Sequence, residues 1–481
     1  MILQSVSTKS QKKLRPITFG FHPRKDVIVE VSDKQLSSDG GLIAIKEFDN
    51  RIGFIMRFAK LLFDKRKGKL RHTIHEMLGS RIYGFLSGYT DQNDHQQLRF
   101  DPVFKIVAGR DPNDGPLASQ SSLSRFENQV TSADLLAIIE EVPKEWAERF
   151  HVRPSLVTLD VDAVDDTVHG QQQLCMFHGF YEQYQYLPLL ISHAESNEFV
   201  SGWLRPGVVP ASLGAEDDQE RVTKAVRGKF PDVEILIRGD CGFGLPSIYR
   251  FCEENLLSYL IGIATNARLA REAKDHLALA KERFEETGEK QRIFHVFHYR
   301  AESWDRTRTV IAKSEYNAKG PNQRFVVTNR PGALINPEAI YDEYAMRGDA
   351  ENRNKEIKNG LGMDRLSDCR FMANFFRMLM SMLSHNLLVR MKNCVQIPDK
   401  ESDPDQVPQE ALTGLDRTRF QRERRKWDPL GRAHPQTWRD KFIKVAVEVV
   451  STSRRIVIRM AANWPYLELF KRTSQSILSF G

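Results

Sequence analysis

"SLVTLDVDA", Ser155 to Ala163, is where the chain changes texture. It is a β-rich run, and its apolar character ends at two acids, Asp160 and Asp162. Upstream, from about residue 35 to 150, the pattern is helical: "LIAIKEFDNRIGFIMRFAKLLFD" (42–64) carries apolar residues at three- and four-residue intervals. Downstream, "QLCMFHGFY" (173–181) and "YLPLLISHAES" (186–196) read as further strands. A helix, "DDQERVTKAVRGKF" (217–230), then precedes the strand "VEILIRGD" (233–240), the helix "LPSIYRFCEENL" (245–256) and the strand "SYLIGIA" (258–264). Strands and helices mixed in this order predict an α/β fold around a mixed sheet, not a barrel of repeats.

The same reading divides the chain. Residues 1–150 form a helical N-terminal domain, 151–270 the first part of the α/β core, and 271–335 a β-rich insertion with "RIFHVFHYRA", "RTRTVIAKSEY" and "RFVVTNR". Residues 336–395 return to helices, among them "FMANFFRMLMSMLSHNLLVRMK" (371–392), apolar on nearly all sides and so predicted to be buried. A linker by composition, "IPDKESDPDQVPQE" (397–410), opens a basic helical C-terminal region, 396–481, read as a DNA contact or dimerisation element.

Composition narrows the class of protein. The 481 residues exceed one hydrophobic core, and 41% apolar content is ample for several. A net charge of +7 permits a polyanionic partner without demanding one. Five scattered cysteines with no CxxC pair argue against a disulfide framework and a structural zinc, and fit a reducing compartment. No apolar run reaches the roughly 18 residues of a membrane span, so a soluble cytoplasmic protein is expected.

Two predicted strands end in aspartate. Asp160 and Asp162 close the first; Asp240 closes "EILIRGDCGFG", whose glycines let the backbone turn beside the acid. In an open α/β sheet, ligand chemistry gathers at the carboxyl ends of strands. Aspartate is also common at strand ends because it starts turns, so either residue alone has an ordinary explanation. A third acid lies in "YAMRGDAENRNKEIKNG" (344–360), where Tyr344, Arg347, Glu351, Lys355 and Lys358 share one helical face. The plain alternative is a Glu351–Lys355 pair on a solvated surface. Three carboxylates around one point would suit two divalent cations held on oxygen.

The spacing Tyr344-x2-Arg347-x3-Glu351-x6-Lys358 is similar to the Y-R-E-K signature of the insertion-sequence-four superfamily of DDE transposases. Together with "LDVDAVDDTVHGQQ", "GWLRPG", "ILIRGDCGFG" and "RFVVTNRP", it resembles the thirteen-eighty branch of bacterial insertion-sequence transposases, over residues 35 to 470. The resemblance implies an RNase H-like catalytic core interrupted by a β-strand insertion, and a DNA-binding N-terminal region. It also implies cut-and-paste transposition: hydrolysis and strand transfer at terminal inverted repeats, with Mg²⁺ or Mn²⁺, two per site, and a homodimer in the synaptic complex. Catalytic and metal-binding positions carry over to Asp240 and Glu351. For the first acid Asp162 is favoured, because it lies nearer the strand's end and eight residues before Gly170, with Asp160 as the alternative.

Arg347 and Lys358 would hold phosphates, and Tyr344 would either touch the same backbone or pack on the sheet. Trp304 would stack on a flipped base or, more plainly, fill the core of the inserted module. Lys355 and the exposed Ser/Arg turn with Arg125, in "SQSSLSRFEN" (119–128), complete the expected DNA contacts; Ser119 or Ser121 would cap that helix. His169, His178 and His193 have no metal-ligand spacing. The basic run "RTRFQRERRKW" (417–427) suits either phosphate contact or a solvated helix face. Two rival functions remain: a transposase-derived DNA-binding protein without activity, and a two-carboxylate glycoside hydrolase, which would leave the basic companions of Glu351 without a role.

Overall fold

The computed structural model describes residues 15–68, 70–394, 430 and 433–480. An eight-stranded sheet organises the middle of the chain. Its strands are β1 (Leu156–Ala163), β2 (Leu189–His193), β3 (Phe199–Trp203), β4 (Glu234–Gly239), β5 (Ser258–Ile263), β6 (Gln291–Tyr299), β7 (Arg308–Asn317) and β8 (Gly320–Thr328). The order across the sheet is β6-β7-β8-β5-β4-β1-β2-β3. β1 pairs in parallel with β4, and β4 with β5, while β2 runs antiparallel to both of its neighbours, β1 and β3.

Alternation along the strands splits the sheet into two faces. Val157, Leu159 and Val161 of β1 join Ile235 and Ile237 of β4 in one core, covered by helices that include Ala215–Lys229 and Pro246–Glu254. The intervening residues, among them Asp160 of β1 and Leu236 of β4, point the other way. That second face carries the helix Pro337–Ala345, whose Tyr341 packs with Leu236 and Leu260. The helix Phe371–Cys394, buried along nearly its whole length as its sequence predicts, lies on the same side beside Leu190 and Phe199.

Three expectations need correction. "QLCMFHGFY" does not enter the main sheet: only Met176–His178 is extended, in a small separate sheet with Gln183–Tyr186 and Asp166–Thr167. The third strand of the main sheet is instead Phe199–Trp203, which sequence reading left unassigned. The 271–335 segment, read as a β-rich insertion, is not made of strands alone. It opens with the helix Lys274–Thr287, and its strands extend the main sheet because β8 pairs with the open edge of β5, Leu260 facing Thr328.

The chain ends are also less separate than expected. Gln35–Ser37 pairs with Val447–Ser451, which pairs with Ile456–Met460, so the C-terminal region contains a β-hairpin as well as the helix Leu467–Ser479. N-terminal residues such as Phe48 and Leu78 share one hydrophobic core with Phe376 and Phe442. A strand lacking its partner cannot bury its apolar side, and here the partner comes from the far end of the sequence. The basic run 417–427 lies outside the described residues.

Candidate active site

β1 and β4 bring two acids to one edge. The parallel register sets Arg238 against Asp160 and Gly239 against Val161, so the next step places Asp240 level with Asp162. Asp240 leaves the strand into a tight turn, Cys241–Phe243, and its Oδ1 accepts the backbone N–H of Gly242 at 2.8 Å. Asp162 Oδ2 accepts from Asn354 Nδ2 at 2.7 Å. Burial and the neighbouring charge of Asp240 push Asp162 up to about 6; Arg347 opposes the shift and Glu351 adds to it. Two partly buried carboxylates side by side resist losing both protons.

Asp160 is a different case. Arg238 grips it through two bonds, Nε to Oδ1 at 2.7 Å and Nη2 to Oδ2 at 3.0 Å, and Arg353 pairs with its Oδ2. Arg353 also donates to Ser192 Oγ at 3.0 Å and Arg238 to the Glu343 carbonyl at 2.7 Å. Asp160 is 1% exposed, with both oxygens engaged, so it ties β1, β4 and the helices above them together. Arg353, two residues beyond Glu351, is buried in this cluster.

The predicted helical face is not one helix. Pro337–Ala345 stops, the chain turns at Met346 and Arg347, Gly348–Lys355 follows, and Glu356–Gly360 closes in a wider π-helical turn. The break lets Tyr344 and Arg347 drop onto the sheet. A Cβ on Gly262, at the end of β5, would stand 2.7 Å from Tyr344 Oη, so only glycine admits the ring there. Burial raises the Tyr344 phenol, with Arg347 opposing that rise. Although burial alone would lower it, Arg347 is held above its ordinary value by Tyr344, Asp162, Asp240 and Glu351. Arg347 is therefore the cation that faces all three acids.

Glu351 stands at the rim, its side chain 58% exposed and 3.7 Å from Arg347. The Glu351–Lys355 pair of the plainer alternative does not form; Lys355 is exposed. Lys358 turns toward the chain after β1, donating to the Asp165 carbonyl at 2.6 Å. Asn354 and Tyr181 complete the neighbourhood and were missed from sequence. Asn354 lies one turn beyond Glu351, where an i, i+3 search would have found it.

The profile of the family described as Transposase DDE domain group 1 matches residues 19–404. The chain belongs to this transposase family. No curated protein matches it. A solved structure of the piggyBac transposase synaptic complex with hairpin DNA is 13% identical over 84% of each chain, at a TM-score of 0.38, a likeness too loose to add to the argument.

Two expected DNA contacts of the transposase lie away from this site. Trp304 is 4% exposed, edge-on to Tyr249 and Tyr299 with Arg308 over its ring, so no ring face is open to a base; it fills the core. Arg125 sits exposed on the helix Gln120–Asn128, which Ser119 caps by accepting from the Ser122 N–H. Among the described residues, no helix is long and apolar enough to cross a membrane.

Proposed function

We propose that this transposase cuts DNA phosphodiesters at the terminal inverted repeats of a bacterial mobile element and joins the freed 3′-hydroxyl to target DNA. Asp162, Asp240 and Glu351 are its acids. The observation that carries the reading is the arrival of Asp162 and Asp240 side by side at the carboxyl ends of two parallel strands, under Arg347 and next to Glu351. An RNase H-like core is supported by the order β3-β2-β1-β4-β5, with the last three strands parallel and β2 alone reversed between β1 and β3. Membership of the thirteen-eighty branch rests on the ordered motifs of the sequence.

The donor set fits a hard divalent cation. Carboxylate oxygens are the ligands Mg²⁺ and Mn²⁺ prefer, and the raised Asp162 marks an acid pair short of positive charge. Among the described residues no three His, Cys, Asp or Glu side chains are already gathered into a cage, so Glu351 would turn in from solvent to join the two aspartates. When bound, a pair of such ions clamps the attacking and leaving oxygens of an in-line displacement.

The chain's own groups do the rest. Gly242 N–H holds one Asp240 oxygen, while Asn354 and the Ala163 N–H hold the two oxygens of Asp162, which orients both carboxylates. Arg347 would take a phosphate oxygen next to the scissile bond, and Tyr344 holds the arginine in place. Lys358 would contact the strand beyond, and a homodimer would hold two ends together.

The test is cleavage of a labelled duplex carrying the element's end, by the full chain in Mg²⁺ and in EDTA. Cutting in Mg²⁺ that is lost in Asp240→Asn, with end binding retained, supports the reading. Binding without cutting by the wild-type chain would favour an inactive DNA-binding descendant instead.

A further inference from the structure

Beside the acid pair stands a hairpin whose surface is unusual for its charge and its rings. Met176–His178 pairs with Gln183–Tyr186, and the second strand pairs in turn with Asp166–Thr167, just beyond Asp162 on the chain. Gln183 Nε2 donates to Asp165 Oδ2 at 3.3 Å, and the Asp165 carbonyl accepts from Lys358. The hairpin is thus anchored to the mouth of the site. Its rings face outward: Phe177 is 50% exposed, Phe180 83% and Tyr184 59%. Phe177 and Tyr184 are register partners meeting edge to face at 5.5 Å, and Phe180 meets Tyr181 at 5.0 Å and 89°. An edge-to-face contact covers at most one face of one ring, and with this exposure the other faces stay open to a flat partner.

Charge decides what that partner is. From Pro154 to Leu204 the sequence contains no Lys or Arg, while Asp162, Asp165 and Glu182 fall inside it without an arginine of their own stretch to match them. This stretch cannot hold a phosphate chain by charge, and it repels one near the acids. A strand that passes this stretch on its way to Arg347 and Lys358 gains there from an attraction that does not depend on charge. Aromatic rings supply one, because every base has a π-face.

We propose that the Met176–Tyr186 hairpin is a stacking platform for unpaired bases of the DNA strand that enters the acid pair. The proposal rests on the DNA-cutting reading above and names the part of its substrate that this element grips. A self-associating chain would also cover exposed rings, and the test separates the two occupants.

The probes are a fluorescein-labelled oligothymidine of about 20 nucleotides and a duplex of the same length, each titrated with the full chain at several salt concentrations. Phe177→Ala with Phe180→Ala should weaken oligothymidine binding about tenfold or more, the scale of losing stacked bases, and leave duplex binding nearly unchanged. The salt slope should stay that of the wild type, because no phosphate contact is removed. Phe180→Trp should bind like the wild type and Phe180→Leu like the alanine variant, which separates stacking from mere apolarity and from misfolding. Wild-type oligothymidine affinity in the double variant overturns the proposal. So does a switch from dimer to monomer on size exclusion with oligothymidine binding intact, which would assign the rings to a second copy. Duplex cleavage by the wild-type chain reports on the transposase reading separately, so either can fail while the other stands.

Discussion

Asp160 and Asp162 sit two residues apart on one strand and face the same side of the sheet, yet their surroundings are opposite. Around Asp160 two buried arginines meet one carboxylate, so the negative charge is more than matched. Around Asp162 two further acids crowd near, and Arg347 is the counter-charge facing them. The first arrangement holds the fold together; the second holds back two acids that a cation would complete. Sequence spacing cannot separate them, because the difference lies in what β4 and the helix above contribute at each level.

The largest expected effect breaks the Asp162 side. Asp162→Asn should lower DNA cleavage about a thousandfold or more, since an amide is a poor ligand and cannot carry the charge the site needs. The same change should not destabilise the metal-free chain at neutral pH. Asp162 is raised above its unfolded value, so stability is lost as pH rises from the unfolded value of about 4 to the folded value of about 6, and the full cost stands above that. The asparagine variant should therefore melt higher than the wild type in EDTA at pH 7.5, and the gain should vanish as pH falls to about 4, where the unfolded carboxyl protonates. Melting curves at the two pH values check the sign.

Asp160→Asn should do the reverse. It leaves Arg238 and Arg353 buried with a neutral partner, a loss of about 3–5 kcal/mol on the scale of breaking a buried ion pair. Denaturant unfolding of the full chain measures it. A variant as stable as the wild type that cuts no DNA would exchange the roles assigned to the two aspartates.

How much of this was legible follows from reach along the chain. Asp240 and Glu351 stood out as candidates because each belongs to a short local pattern, a strand end with glycines or an acid at fixed helical spacing. The partners of Asp160 were not, since Arg238 and Arg353 lie 78 and 193 residues away and nothing local marks them as buried. For the same reason "FVSGW" escaped as a strand: it is short and its pairing with β2 is a tertiary fact. The 291–328 strands were legible as strands, but their continuity with the main sheet was not, because register with β5 has no trace in composition. Trp304 shows the limit from the other side. An aromatic in an inserted module reads equally as base contact or core, and only its packing against Tyr249 and Tyr299 decides.

A smaller effect sharpens the comparison at Asn354. Its amide donates to Asp162 and lies outside the acid set, so Asn354→Ala should slow cleavage about 10- to 100-fold, the range for groups that orient a ligand. Higher Mg²⁺ should recover part of that loss, whereas it should recover none in Asp162→Asn. Cleavage rates across a Mg²⁺ titration separate the two. Equal insensitivity to Mg²⁺ in both variants would mean that Asn354 does not act through Asp162.

The smallest effect belongs to Lys355, which shares the predicted helical face yet points to solvent. Glu351 pairs loosely with Arg347 instead, at 3.7 Å, so removing Lys355 breaks no ion pair with that acid. Lys355→Ala should change stability by no more than about 0.5 kcal/mol, as surface substitutions do. If the lysine meets a phosphate of bound DNA, the variant should bind every duplex somewhat less tightly, and the slope of log affinity against log salt should fall by about 1. The Phe177 and Phe180 variants should leave that slope untouched while losing single-strand affinity, so salt dependence tells the two faces of the site apart. An unchanged slope in Lys355→Ala would return the lysine to a plain solvated position. The phosphate contacts of the helix would then rest on Arg347 and Lys358, the two cations already turned toward the acids and the strand that carries them.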